Sequence, residues 1–166
     1  MATQESLQQL YMDELRDLMS AEHMILKALP KMAEKASHSS LKDAFRMHEQ
    51  QTRQHVQRLE QIFSMIGTRA EEKECKGMKG IIEEGQEVMK EYADSDVLDA
   101  ALIAAAQRVE HYEIAAYGCV RTYANVLGLS KQEDLLQQTL NEEGTTDHRL
   151  TQIADEVVNI DALKAT

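Results

Sequence analysis

The sequence has few of the residues that interrupt helices or favour sheets. Its 166 residues include one proline, seven glycines, two phenylalanines and no tryptophan. Residues that favour helices, chiefly alanine, leucine, glutamate, glutamine and methionine, are abundant instead. This composition predicts an all-α protein. We expect a chain of this length to form one domain, residues 1–166, with a sizeable buried core.

Excess positive charge, paired cysteines and long apolar runs are lacking as well. The formal charge of −11 argues against nucleic-acid binding, because a phosphate backbone requires a basic face, and it favours a protein that attracts cations. Cys75 and Cys119 lie far apart and outside any CxxC pattern, which is typical of reduced thiols in the cytosol. Without a signal-peptide pattern or a membrane-spanning run, the expected location is the cytoplasm and no membrane partner is expected.

Apolar residues that recur every three or four positions predict four long helices and one short one. The predicted elements are about Thr3–Ala36, Ser40–Gly67, a short helix Gly80–Glu91, a helix from the Asp94–Asp96 cap to Gly128, and a last helix from Ser130 onwards. Ser40 with Asp43, and the capping box S-x-x-E at Ser130, indicate two of the helix starts. These elements predict an up-down-up-down four-helix bundle with an extra short helix between the second and third long helices.

The stretch Ala101–Val120 carries two carboxylates on its apolar side. Steps of three or four along this helix connect Ile103, Ala106, Glu110, Glu113, Ile114 and Tyr117. Burying an unpaired carboxylate costs several kcal/mol or forces it to take up a proton. A cation in the interior is therefore the strongest candidate to compensate the two acids.

The other long helices also have polar residues near the middle of their apolar faces. The metal-binding candidates there are Glu22 in the first helix, Gln51 and His55 in the second, and Glu143 and Asp147 in the fourth. Any one of them alone has an ordinary explanation, as an acid at the edge of a stripe or a hydrogen-bonded core histidine. Four such interruptions at similar depth would converge in the core of a bundle.

The chemistry of these side chains favours a carboxylate-bridged pair of metal ions. Two divalent cations neutralise four carboxylates in a dry core, and carboxylates with a histidine suit iron or manganese better than copper or structural zinc. We expect Glu110 and either Glu22 or Glu143 to bridge the ions, with His55 as a terminal ligand. The Glu-x-x-His spacing that many helical bundles use is not met at Gln51 or at Glu143.

The same segments resemble a known family. The matching stretches are LMSAEHMILKALPKMA, AFRMHEQQTRQHVQRLEQIF, CKGMKGIIEEG, DAALIAAAQRVEHYEIAAYG and QQTLNEEGTTDHRL, which together span nearly the whole chain. On these stretches, and most specifically on the fourth, the sequence resembles the YciF-type bacterial stress proteins, a branch of the ferritin-like superfamily. The resemblance implies a ferritin-like four-helix bundle with an extra helix in the middle connection. It also implies a homodimer, a link to stress responses and a di-metal centre.

The resemblance also implies which acids point inward. Those that match the family pattern are Glu22, Glu110, Glu113, Glu143 and Asp147. The second helix departs from the pattern, because the family usually has Glu at the position of Gln51 and Gln at the position of His55. Gln51 cannot bridge two metals as a carboxylate does, whereas His55 restores one nitrogen donor. The family usually has Lys at the position of Gly144.

Two functions follow from these observations. In the first, two iron or manganese ions make the protein an oxidoreductase that handles oxygen, peroxide or ferrous iron. In the second, a non-enzymatic homodimer acts in the stress response by binding a partner, and its core acids are protonated or bridged by water. The clustered acids favour the first function, while Gln51 favours the second. A storage cage fits only if dimers assemble further.

Overall fold

A computed structural model of this protein describes residues 4–165. Helices account for all regular structure in that part of the chain. In chain order the helices are α1 Gln4–Lys35, α2 Ser39–Ile66, α3 Lys76–Glu91, α4 Leu98–Val126, α5 Ser130–Ile153, a π-helical turn Ala154–Val158 and α6 Asn159–Lys164. The prediction of an all-α protein is confirmed, since residues 4–165 contain no strand. The predicted start of the first helix, Thr3, and the ends of the predicted domain, residues 1–3 and 166, lie outside the described residues.

The starts of three long helices differ from the local capping signals. The predicted Asp94–Asp96 cap does not form, because Val97 is the N-cap of α4 and makes no side-chain capping hydrogen bond. His38, not Ser40, is the N-cap of α2, and its side chain makes no capping hydrogen bond. The carboxylate of Asp99 on α4 holds the segment just before the helix, because it accepts hydrogen bonds from the backbone nitrogens of Ser37 and His38 at 2.8 and 2.7 Å. Helix α2 therefore begins with a partner from another helix, which no local sequence signal reveals.

The capping box predicted at Ser130 does not form. Leu129 is the N-cap of α5, and it provides no side-chain hydrogen bond. The carboxylate of Glu133 instead accepts hydrogen bonds from Arg121 and Asn125 on α4, at 3.2 and 2.9 Å. The side chain that would have closed the capping box therefore bonds to a neighbouring helix.

Helix α3 packs along the side formed by α1 and α4. It begins four residues earlier than the predicted Gly80, after Cys75, whose sulfur accepts a hydrogen bond from the backbone nitrogen of Met78 at 3.4 Å. Gly77 lies against the ring of Tyr112, where an added Cβ would come within 2.7 Å of Cε2. Tyr112 in turn donates a hydrogen bond to Asp17 on α1 at 2.9 Å. The extra helix therefore lies against a tyrosine of α4 that also bonds to α1.

The apolar core consists of two clusters at opposite ends of the long helices. One contains Ile25, Leu29, Leu41, Phe45, Leu102, Ile103 and Leu150, and the other contains Tyr11, Leu15, Leu18, Leu59, Ile62, Tyr117, Val120 and Leu136. On α1, α2, α4 and α5, the residues between these two groups include buried acids and histidines. A polar layer therefore separates two apolar regions. Among the helices of residues 4–165, none is both long and apolar enough to cross a membrane.

Candidate metal centre

The polar layer brings six buried side chains from four helices into one cluster. They are Glu22 from α1, His48 and His55 from α2, Glu110 and Glu113 from α4, and Glu143 from α5. Five of them have no exposed surface, and His48 is 2% exposed. We refer to these six residues as the polar cluster.

Helical spacing explains how α2 and α4 each contribute two members. His48 and His55 lie seven residues apart, which is close to two full turns, so both project from one side of α2. Glu110 and Glu113 lie three residues apart and therefore also share a face. The sequence thus places two donors on one face of each of these helices.

The polar cluster divides into two potential metal-binding groups. The first comprises His48, Glu110, Glu113 and Glu143, and the second comprises Glu22, His55 and Glu143. Within each group, one ligand atom from every residue lies within 4.8 Å of the others. Glu143 belongs to both groups, so its carboxylate is the element that connects them.

The two oxygens of Glu143 face different histidines. Its Oε1 lies 2.9 Å from His55 Nδ1, and its Oε2 lies 3.3 Å from His48 Nε2. The other histidine contacts within the polar cluster are from His55 Nδ1 to Glu22 Oε1 at 3.4 Å and from His48 Nδ1 to Glu110 Oε1 at 3.0 Å. One carboxylate oxygen on each side is the arrangement that a bridging ligand requires.

The polar cluster contains many donor and acceptor atoms without a hydrogen-bond partner. Among the described residues, nine such buried atoms belong to the cluster, namely both oxygens of Glu110, Glu113 and Glu143, together with Glu22 Oε2, His48 Nε2 and His55 Nδ1. Several nitrogen–oxygen pairs are close, but they are not aligned as hydrogen bonds. Each unsatisfied buried polar group costs about 1–3 kcal/mol, and charged groups cost more. Cations between these atoms would remove that cost, so the donor set fits a metal centre.

Burial and mutual repulsion control the protonation of the acids. Burial, reinforced by the nearby charge of Glu143, raises the pKa of Glu110 and of Glu113 well above the ordinary value. Burial acts on Glu143 in the same direction, but contacts with His48 and His55 prevail and hold its pKa well below the ordinary value. Without metal, the polar cluster therefore keeps protons on some acids and ionises the one between the histidines.

His55 takes up a proton in the metal-free protein. Burial alone would lower its pKa, but Glu143 and Glu22 outweigh burial and raise the pKa from 6.5 to about 10. A metal ion would have to displace this proton and those on the buried acids. Metal binding should therefore release protons and strengthen as the pH rises.

We expect the metal-free protein to lose stability as the pH rises from 6.5 towards 10, because the folded state keeps a proton on His55 that the unfolded chain releases. The contribution of His55 is fully present below pH 6.5 and is lost by about pH 10. The free energy of unfolding should fall by up to about 1.4 kcal/mol per pH unit for one such proton. Urea denaturation in the presence of EDTA, repeated across this pH range, measures the free energy of unfolding. A His55→Gln variant should show a flatter dependence, and a rise in wild-type stability over this range would contradict the interpretation.

Two residues predicted as ligands lie outside the polar cluster. Gln51 is half-buried on α2, and its Oε1 accepts a hydrogen bond from Thr146 Oγ1 at 3.3 Å. Asp147 on α5 is 22% exposed, with Oδ1 lying 3.2 Å from His111 Nε2. A step of four residues rotates about 40° around a helix, which suffices to move a side chain from the core to the edge of the stripe. Both residues face neighbouring helices at that edge.

His48 is the member of the polar cluster that the sequence prediction omits. Its distance of seven residues from His55 is the signal that identifies it, since this spacing keeps both rings on one side of α2.

Gly144, beside Glu143, is exposed, and an added Cβ would meet no described atom within 4 Å. The glycine is therefore not required by close packing around the cluster.

Two polar contacts reach the cluster from its surroundings. The buried Tyr117 donates a hydrogen bond to Glu22 Oε1, which leaves Glu22 Oε2 for another partner. On the side of α5, Glu142 Oε2 lies 2.8 Å from His55 Nε2. Arg58 donates hydrogen bonds to both oxygens of Glu142, each at 2.8 Å. These contacts restrict the orientations of one acid and one histidine in the cluster.

Comparison with known proteins supports the resemblance found in the sequence. A family described as a domain of unknown function, DUF892, matches residues 6–163. The protein YciF of Escherichia coli strain K12 is 41% identical over 155 residues, which cover 93% of each chain. The crystal structure of the E. coli stress protein YciF matches with a TM-score of 0.88 and 40% identity, covering 96% of this chain and 99% of that one.

A second solved structure, of YcfI from Rhodopseudomonas palustris, has a TM-score of 0.85 and 39% identity. It covers 87% of this chain and 92% of that one. Both the family match and the relatives extend over nearly the whole chain, at identities well above the level that fold similarity alone produces. The chain therefore belongs to the YciF-type family, described as DUF892, as its sequence resemblance predicts.

Proposed function

We propose that this protein is a stress-response member of the ferritin-like superfamily that binds a pair of iron or manganese ions. In this proposal α1, α2, α4 and α5 form an up-down-up-down four-helix bundle, with α3 as the extra helix in the connection. The observation that carries the proposal is Glu143, whose two oxygens face the histidines of two separate donor groups. A single buried carboxylate placed in this way is suited to bridge two cations.

The two groups divide the ligands between the ions. His48, Glu110 and Glu113 would hold one ion, Glu22 and His55 would hold the other, and Glu143 would bridge them. From the sequence, Glu110 and either Glu22 or Glu143 were expected to bridge the ions. The assignment selects Glu143 as the bridge and gives Glu110 to one ion, because Glu110 belongs to one group only. Gln51 and Asp147, although predicted as ligands, are omitted from this assignment because they lie at the edge of the core.

Charge supports two divalent ions over one. The polar cluster contains four carboxylates and two histidines, so two divalent cations and neutral imidazoles give a centre without net charge. One such cation would leave two negative charges in a region with no exposed surface. Carboxylate-rich ligation with imidazole favours iron or manganese over copper and structural zinc.

The residues around the centre prepare it for redox chemistry. When bound, a pair of iron or manganese ions supplies the electrons for reactions with oxygen or peroxide, or accepts them from ferrous iron. The two apolar clusters exclude water from either end of the polar layer. Tyr117 and Glu142 orient one acid and one histidine from outside the ligand set. These features favour a reaction with small oxidants.

Metal analysis combined with an oxidation assay tests this function. Protein produced with iron and manganese present should contain up to two ions per chain, and it should accelerate consumption of peroxide or oxidation of ferrous iron. Glu110→Ala should abolish the oxidation and lower the metal content to at most about one ion per chain, because Glu110 belongs to one donor group only. Glu49→Ala is the control, since Glu49 is a partly exposed acid on α2 that pairs with Arg53 outside the cluster. Bound metal without either reaction would contradict the enzymatic part of the proposal.

A second candidate function is a non-enzymatic role in the stress response. The solved structure of YcfI is described as that of "a putative structural protein", and this description favours a non-enzymatic role. In this case a homodimer, which the family resemblance implies, would act in the cytoplasm by binding a partner. Light scattering after size-exclusion chromatography tests the homodimer. The absence of metal after production with iron and manganese would favour this candidate.

A further inference from the structure

His55 contacts the polar cluster with one ring nitrogen and a charged pair outside it with the other. Its Nδ1 lies 2.9 Å from Glu143 Oε1 and faces the proposed ion position. Its Nε2 lies 2.8 Å from Glu142 Oε2. Since a metal binds a ring nitrogen only through its lone pair, the position of the single proton on neutral His55 decides whether Nδ1 can be a ligand.

Glu142 is held in place by more than its contact with His55. Glu142 and Glu143 are neighbours on α5, so their side chains project about 100° apart. Glu143 points into the core, and Glu142 points towards α2. Arg58 donates two parallel hydrogen bonds to the Glu142 carboxylate, each at 2.8 Å, and a third to Thr139 Oγ1 at 3.1 Å. Only 14% of the Arg58 side chain and 27% of the Glu142 side chain are exposed. The carboxylate therefore presents Oε2 to His55 in a fixed orientation.

We propose that Glu142, oriented by Arg58, is a positioning residue that keeps the proton of His55 on Nε2 and so presents Nδ1 to the metal. The inference rests on the proposed metal centre and adds a residue outside its ligand set. An ionised carboxylate only accepts hydrogen bonds, so His55 must donate from Nε2. Outer carboxylate partners of metal-binding histidines fix the ring and increase its basicity, and their loss costs about 10–100-fold in metal affinity.

His48 differs from His55 in this respect. Both of its ring nitrogens face acids of the polar cluster, Nδ1 towards Glu110 and Nε2 towards Glu143. The Glu142–Arg58 pair therefore acts on one of the two ion positions, the one formed by Glu22, His55 and Glu143. Loss of Glu142 should weaken that position and leave the other nearly unchanged.

Calorimetric titration with Mn²⁺ on the full chain tests the proposal. Wild type should bind two ions, whereas Glu142→Leu should bind one ion about 10–100-fold more weakly and the other with unchanged affinity. Glu142→Gln should recover much of the loss, because its amide oxygen still accepts a hydrogen bond from Nε2. Glu49→Leu is the matched control, since Glu49 pairs with Arg53 on α2 and is 23% exposed. Equal weakening of both ions would indicate a merely structural role and overturn the proposal.

The proton position on His55 gives a second readout that does not depend on activity or on any variant folding. In the zinc-loaded wild type, ¹⁵N NMR should find the His55 proton on Nε2. A proton on Nδ1, or two ions bound by Glu142→Leu with wild-type affinities, would overturn the inference while leaving the metal centre intact. If the wild type binds neither Mn²⁺ nor Zn²⁺, the proposed function fails, and the role of Glu142 fails with it.

Discussion

Replacing Glu143 with Gln is expected to eliminate both metal ions at once. Glu143 is the residue common to the two donor groups, and its oxygens approach His55 and His48 at 2.9 and 3.3 Å. An amide has one acceptor oxygen and no negative charge, so it can neither bridge two ions nor balance their charge. The loss of affinity for each ion should exceed the roughly 10–100-fold that loss of an outer partner costs. Calorimetric titration with Mn²⁺ measures both affinities.

Asp147→Asn is the matched control for this prediction. It makes the same change of charge on the same helix, four residues further along, at a side chain that contacts Gln107 and His111 instead of the polar cluster. We expect the Asp147 variant to keep both ions. Retention of either ion at wild-type affinity by Glu143→Gln would contradict the bridging assignment.

Loading with metal is expected to raise the melting temperature by roughly 10–20 °C. An ion that binds only the folded state stabilises it by about 2.7 kcal/mol at a free concentration of 100 times Kd, so two ions contribute about 5 kcal/mol. For a chain of this size each kcal/mol corresponds to about 2–4 °C. The physical source is the relief of the unpaired buried oxygens and nitrogens of the cluster. Differential scanning calorimetry with Mn²⁺, and again with excess EDTA, measures the shift.

The Glu143→Gln variant provides the control for the thermal experiment. It should melt at the same temperature with Mn²⁺ and with EDTA, because its ligand set is incomplete. If the wild-type protein also melts at the same temperature with Mn²⁺ and with EDTA, the metal centre is contradicted. That result would favour the non-enzymatic role in the stress response.

Helical periodicity made the fold predictable because each long helix must bury one apolar stripe. Ile103, Ala106 and Tyr117 lie on the predicted stripe of the third long helix and are buried in the structure. The helix starts were less predictable where their partners are distant in sequence. Asp99 on α4 accepts a hydrogen bond from His38 just before α2, and Glu133 bonds to α4 instead of closing a capping box. A local pattern contains no information on either contact.

The acids of the polar cluster were predictable because a buried charge in an apolar stripe is energetically exceptional. Glu22, Glu110, Glu113 and Glu143, together with His55, were all identified in this way, and all five are fully buried. Residues at the edges of the stripes were not distinguishable in the same way. Gln51 and Asp147 lie within one turn of cluster members, and only the packing of neighbouring helices decides which way they face.

Anomalous diffraction from crystals grown with iron and manganese tests the central claim most directly. Data at the edges of both metals identify each ion and locate it relative to its ligands. The account predicts two peaks on either side of Glu143, one among His48, Glu110 and Glu113 and the other between Glu22 and His55. A metal-loaded crystal with no peak in the polar layer, or with one ion that Glu143 does not contact, would contradict it.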